Sequence, residues 1–324
     1  MVKLASAEMA EKKLATRAAF GATLAELAEE GVPVVAVDAD LTGSTTTKKF
    51  AAAAPENADK LFNCGIAEQN MIDVAAGLAL TGHVAYTGSF AVFGTGRAYD
   101  QIRNTVCYSN LDVKICPTHA GVSVGPDGGS HQMLEDVSLM RGLPNMRVLV
   151  PADYAAARAA IKLAAKTPGP VYVRMGRAAV PCVYDDDVEL EIGRAYVLRE
   201  GSDATVVACG VEIREALAAA DMLAEEGVSI EVIDAFSVKP LDEDTITASV
   251  AKTGCCVVAE EHSVHGGLGS AVAECLARKN PAPCEFVGVQ DRFGKSGEFE
   301  ELLGYFNLDA AAIVGAEERA RGRK

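Results

Sequence analysis

No run in the 324-residue chain is apolar for long enough to cross a bilayer, and its opening residues are charged and Ala-rich, without the continuous apolar core of a signal peptide. A cytoplasmic protein is expected. Positive charge is also scarce: 30 Lys and Arg stand against 45 Asp and Glu, for a formal net charge of −15. A surface of that sign repels phosphate backbones. It argues against nucleic acid and anionic membrane as general partners, and any anionic substrate must then be caught in a local basic pocket. The nine cysteines lack metal-ligand spacing, and several lie in apolar runs such as Cys255-Cys256-Val257-Val258. They read as reduced core thiols rather than a disulfide framework. Only five histidines occur, and there is no internal repeat or low-complexity tract.

What the chain does have is core material, with 49% hydrophobic residues over a length that suits two domains. Short Val/Ile/Cys-rich runs alternate with longer Ala-rich amphipathic segments, the signature of βα units building a parallel sheet. The spacing predicts helices over 6–30, 66–81, 95–109, 131–141 and 152–166, alternating with strands at 34–37, 84–87, 113–116, 147–150 and 171–173. These make one doubly wound α/β domain over 1–180. Pro181 and the acidic run Asp185-Asp186-Asp187, read as a solvated turn, mark a linker over 181–203. A second α/β domain is expected over 204–324, with strands at 205–208, 229–233, 256–259 and 285–289 and helices at 211–226, 243–251 and 267–278.

Four segments carry unusual chemistry. In Phe62-Asn63-Cys64-Gly65-Ile66-Ala67-Glu68-Gln69-Asn70-Met71, one carboxylate opens a helix whose later residues are apolar on nearly every face, which predicts a helix buried all round. A carboxylate in such packing needs a partner or a proton. Taken alone, Glu68 would simply offset the helix dipole and cap free N–H groups. In Thr87 to Gln101, two aromatics, Phe90 and Phe93, lie three residues apart, a spacing that by itself indicates core. The segment Cys116 to Gln132 crowds His119, Asp127, His131 and several glycines between a strand's C-terminal end and the next helix, where α/β sheets place their ligands. Arg17, Ser44 and Arg174 are also singled out, and an arginine fork suits phosphate because it makes paired, charge-assisted hydrogen bonds to phosphate oxygens. On its own, Arg17 would be an ordinary exposed helix residue.

Together these segments resemble the thiamine-diphosphate enzymes, transketolase in particular, over essentially the whole chain. The resemblance implies a pyrimidine-binding fold followed by a transketolase C-terminal domain. It also implies roles. Glu68 hydrogen-bonds the aminopyrimidine ring and activates the cofactor, a task that suits a carboxyl group in a dry site. Phe90 and Phe93 stack on that ring, and Asp40 and Leu41 line the cofactor. Asp127 and His131 contact the donor hydroxyls, with His131 assisting proton transfer, while His119, Arg17, Ser44 and Arg174 hold the sugar phosphate. Gly96 stands where full-length enzymes often carry another aromatic, and Pro126 replaces a common acidic residue. The Gly-rich stretch Glu260 to Gly269 reads as a tight turn into a helix near a dimer interface.

The family binds its diphosphate through a metal, using Gly-Asp-Gly and a later Asn. This chain contains no Gly-Asp-Gly, and its nearest imitation, Pro126-Asp127-Gly128, lies in the substrate loop. The resemblance therefore implies the C-terminal subunit of a split transketolase, assembled as α2β2. An N-terminal subunit would supply the Mg²⁺ and diphosphate site. The implied reaction passes a two-carbon ketol unit from a ketose phosphate to an aldose phosphate. The β subunits of 2-oxoacid dehydrogenases share the layout but lack the Asp-Gly-x-x-His pattern of Asp127 to His131. Half of a 1-deoxyxylulose-phosphate synthase resembles the run Arg97 to Gln101. Thr118-His119, Ser130-His131-Gln132 and Arg174 favour transketolase over both. From a different class, a non-catalytic assembly subunit is the alternative.

Overall fold

The Val- and Ile-rich runs at 34–38, 84–87, 113–115, 171–173, 204–208 and 230–234 are buried along their whole length, as strands covered by helices on both faces must be. A computed structural model describes residues 2–324. Its larger sheet has seven strands in the order Ser237–Lys239, Arg147–Leu149, Val171–Val173, Val113–Ile115, Val84–Thr87, Val34–Asp38 and Leu61–Asn63. All neighbours are parallel except the first pair. A second sheet runs Cys284–Val289, Cys256–Ser263, Ala204–Ala208, Ile230–Asp234 and Tyr196–Arg199, with only the last strand antiparallel. Among the described residues, no helix is long and apolar enough to cross a membrane. The nine thiols are unpaired, and seven of them are buried.

Several elements differ from the sequence expectation. The stretch 6–30 is not one helix. Lys13–Ala15 is extended because it pairs antiparallel with Ala179–Pro181, so the main helix begins only at Ala18 and runs to Glu29. The stretch 95–109 forms wide π-type turns over Val92–Arg97 and Ile102–Tyr108 around a short helix at Tyr99–Gln101. The helix expected from 131 starts at Asp136, because Ala120 and Met133 bridge and keep the preceding residues extended. Two further helices, Phe299–Phe306 and Ala310–Arg321, close the chain. The helix Glu68–Leu80 is not buried all round. Glu68, Met71, Ile72, Ala75 and Ala76 form a single buried stripe, while Leu80 is exposed.

The two sheets do not have separate cores. One hydrophobic cluster joins Phe20, Phe50 and Tyr86 to Val206, Phe236 and Phe306, and another joins Met71 and Ile102 to Val207, Ile233 and Val258. Polar groups reinforce the union. Asp153 caps the helix Tyr154–Ala165 through the Ala156 N–H (2.8 Å) and also accepts the N–H groups of Val183 (2.6 Å) and Tyr184 (2.8 Å), fixing the connecting segment. The fully buried Tyr184 then donates its hydroxyl to Asp234 at 2.5 Å. Asp234 Oδ1 has no partner, and burial pushes that carboxyl up to about 7.

Candidate active site

The site lies at the C-terminal ends of the seven-stranded sheet, where chains leaving parallel strands converge. Asp38, the last residue of its strand, is fully buried and organises the first loop. It accepts the Leu41 N–H (2.8 Å) and the hydroxyls of Thr45 (2.7 Å) and Thr47 (3.0 Å). Gly88 allows this, since a Cβ there would sit 2.4 Å from Asp38 Oδ2. The result is an exposed Asp40 at φ 63°, its N–H bound to Asn63 Oδ1 at 3.0 Å, with Leu41 half-buried beside it. In the same loop the Ser44 carbonyl accepts Arg17 Nη1 at 2.8 Å.

Glu68 is only 2% exposed, and the partner its burial demands is Arg97, whose Nη1 lies 2.8 Å from Oε2. Arg97 also covers the face of Phe93, its guanidinium 4.7 Å from the ring centroid. Phe93 and Phe90 lie nearly parallel, with centroids 6.2 Å apart. Phe90 stacks on His119 at 3.8 Å, and the edge of His131 meets Phe93 at 5.4 Å. Five of the predicted residues, Glu68, Phe90, Phe93, His119 and His131, thus fall in one cluster joined by the Arg97 contact.

The two histidines differ. His119, buried and at φ 61°, bonds Thr118 Oγ1 through Nδ1 (2.7 Å). Burial first, then Arg17, Arg177 and His131, push its pKa down to about 3, so the ring is neutral and free to donate or accept. His131 is half-buried, with Nδ1 on Ser130 Oγ at 2.9 Å. Asp127 is exposed in the same loop.

Arg174 requires a correction. It is 7% exposed, and its fork is already engaged: Nε binds Asp136 Oδ2 at 2.7 Å, Nη2 reaches Asp136 Oδ1 (3.3 Å) and the Glu261 carbonyl (2.9 Å), and Nη1 faces Glu261 Oε2 at 3.6 Å. Val173, Arg174 and Met175 are all buried where the chain leaves its strand, so Arg174 is a buried tie between domains rather than a free phosphate ligand. The cation at the cleft is Arg177, half-buried after Gly176, with its backbone carbonyl 3.5 Å from Arg17 Nε and Nη1 on the Val124 carbonyl. Arg17, Arg177, Ser123, Gly125 and Pro126 line a cleft of about 490 Å³. Burial and then the neighbouring Arg177 lower the pKa of Arg17. Sequence reasoning passed over Asp38, Arg97 and Arg177. Only Arg177 had a local signal, as the second arginine of its motif and the one farther beyond the strand end.

The residues fit one end of thiamine diphosphate. A buried carboxylate beside two aromatic faces, with the buried Ser89 hydroxyl lacking a partner, suits an aminopyrimidine. The metal end does not fit, because no group of three His, Cys, Asp or Glu side chains among the described residues could hold an ion.

Known proteins share this fold. Residues 12–183 match the transketolase pyrimidine-binding domain, and residues 193–313 match the transketolase C-terminal domain. A chain of Methanocaldococcus jannaschii named for the C-terminal section of a transketolase is 45% identical over 92% of this chain and 93% of its own length. A 6-deoxy-6-sulfo-D-fructose transketolase subunit of Clostridium sp. (strain MSTE9) is 42% identical over 93% of this chain and 92% of its own. Among solved structures, a split-gene transketolase described as an inactive β4 tetramer superposes with a TM-score of 0.88 at 48% identity, covering 97% of this chain and all of that one. The chain belongs to the transketolase family, as a counterpart of the C-terminal subunits of its split members.

Proposed function

We propose that this chain transfers a two-carbon ketol unit from a ketose phosphate to an aldose phosphate, paired as α2β2 with an N-terminal transketolase subunit in the cytoplasm. The observation that carries the reading is the single cluster of Glu68, Phe90, Phe93, His119 and His131 beside the Arg17 and Arg177 cleft. Thiamine diphosphate, when bound, supplies the nucleophilic carbon for ketol transfer. Glu68 would hold the aminopyrimidine and handle its ring proton, with Phe90 and Phe93 as stacking faces. His131 and Asp127 bind the donor hydroxyls, and His131 moves a proton there. Neutral His119 donates a hydrogen bond without adding charge, and Arg17, Arg177 and the Ser44 region hold the phosphate. Mg²⁺ and the diphosphate are assigned to the partner, because no fitting donor set occurs among the described residues. The unpaired cysteines support a reducing compartment.

Co-expression with an N-terminal-type transketolase subunit, followed by a two-carbon transfer assay, tests the reading. Failure of a well-assembled complex to turn over any ketose would sink it. A sulfonated donor is the second candidate, favoured by the name of the Clostridium relative. Competition between phosphorylated and sulfonated ketoses separates the two.

A further inference from the structure

The loop that carries Asp127 and His131 belongs to the first domain, but much of its support comes from the second. Its 121–128 portion turns in two tight 3₁₀ steps with a break at Gly125 (φ 78°), flanked by the Gly121 N–H on the Met133 carbonyl (2.9 Å) and the Gly128 N–H on the Gly125 carbonyl (3.1 Å). From the second domain, the strand Cys256–Ser263 presents Glu261, 2% exposed, whose Oε1 accepts the backbone N–H of Ser123. The fit is tight enough to require glycine. A Cβ on Gly121, itself at φ 77°, would stand 2.2 Å from the Glu261 carboxyl carbon. A second piece of the same domain, 294–297, closes the other side. Gln132 Nε2 donates to the Lys295 carbonyl at 2.9 Å and to the Val122 carbonyl at 3.2 Å. A Cβ on Gly129 would come within 2.7 Å of the Gly294 carbonyl.

Resting on the ketol-transfer reading, we infer that Glu261 is a positioning residue. Its carboxylate holds the substrate loop from across the domain boundary and so sets where Asp127 and His131 meet the donor. The same side chain faces Arg174, so two roles must be separated: the acceptor for Ser123 N–H, and the negative charge beside Arg174. Glu261→Gln keeps the acceptor and drops the charge. Glu261→Ala removes both. Glu261→Asp keeps the charge but withdraws the acceptor by one methylene.

Hydrogen exchange of the Gly121–Gly128 amides in the full chain is the first measurement. Exchange at Ser123 should speed up at least roughly tenfold in Glu261→Ala, while Glu261→Gln stays near wild type. In the reconstituted complex, kcat/KM for a ketose donor should fall on the order of 10-fold to 10²-fold in Glu261→Ala and be largely restored in Glu261→Gln. Unchanged exchange in Glu261→Ala would overturn the inference. So would equal losses in the Ala and Gln variants, which would leave only an ion-pair role. If Glu261→Ala does not fold, Glu261→Asp decides: fast exchange at Ser123 supports positioning, and wild-type protection overturns it. A wild-type complex with no transferase activity would count against the functional reading alone, since the exchange measurement needs no turnover.

Discussion

Replacing each of the two arginines three residues apart should give opposite outcomes. Arg174 lies 2.7 Å from the fully buried Asp136. Removing it strands that carboxylate and Glu261, and breaking one partner of a buried pair costs about 3–5 kcal/mol. Tyr172 still donates to Asp136 at 2.5 Å, which places the expected loss toward the lower end of that range. Arg177 is half-buried at the cleft, so Arg177→Ala should leave stability nearly unchanged. The variant removes one charge-assisted contact to a phosphate, worth roughly 1.5–3 kcal/mol. Losing Arg177 also relieves repulsion on Arg17, which returns part of that energy. The net expectation is a KM for phosphorylated donors raised about 10-fold to 10²-fold. Turnover of an unphosphorylated donor such as hydroxypyruvate should change little. Steady-state kinetics of the reconstituted complex with both donors, alongside urea unfolding of the isolated chains, provide the assay. If Arg174→Ala keeps full stability and raises KM selectively while Arg177→Ala does neither, the assignment is wrong.

Glu68→Gln should lower turnover by on the order of 10²-fold or more, because an amide cannot exchange the ring proton. Its circular dichroism and Tm should match wild type, since Arg97 can still donate to the amide oxygen. Asp234 makes stability pH-dependent: its folded pKa of about 7 lies above the ordinary 3.8, so its contribution is complete below about 3.8 and is lost as pH rises through about 7. The loss is roughly 4 kcal/mol at most. Asp234→Asn should remove it, and urea unfolding at pH 5 and pH 8 should therefore show a smaller difference than wild type; identical differences would place the titration elsewhere. Calorimetry of the isolated chain with thiamine diphosphate and Mg²⁺ should detect no micromolar or tighter binding, because the pyrimidine pocket alone offers few contacts.

Much of the site was legible because its residues are grouped in sequence. Glu68, the Phe90 and Phe93 pair, and His119 each sit a few residues past a strand, where parallel sheets expose their ends, and His131 shares the loop of His119. What escaped depends on partners remote in sequence. Nothing within Val173 to Arg177 says that Asp136 and Glu261 wait for the first arginine and not the second. Arg97 meets Glu68 only because wide turns, invisible to a 3.6-residue periodicity, replace the expected helix. Lys13-Leu14-Ala15 has ordinary helical propensity and is extended because Ala179–Pro181 offers it a ladder. The closing helices did carry local signals, the reciprocal Glu298 and Glu301 cap and Asp309 at the next start.

The strand Ser237–Lys239 leaves its own domain to pair with Arg147–Leu149 at the margin of the other sheet. A chain cut between the two domains would therefore leave the first with a bare row of backbone donors and acceptors, the kind of edge that recruits other chains into aggregates. It would also open both hydrophobic clusters and break the Arg174 to Glu261 tie. For anyone recombining such enzymes, the two domains are one cassette: they can be exchanged together between homologues, but a graft of either one alone must bring its neighbour's strand with it.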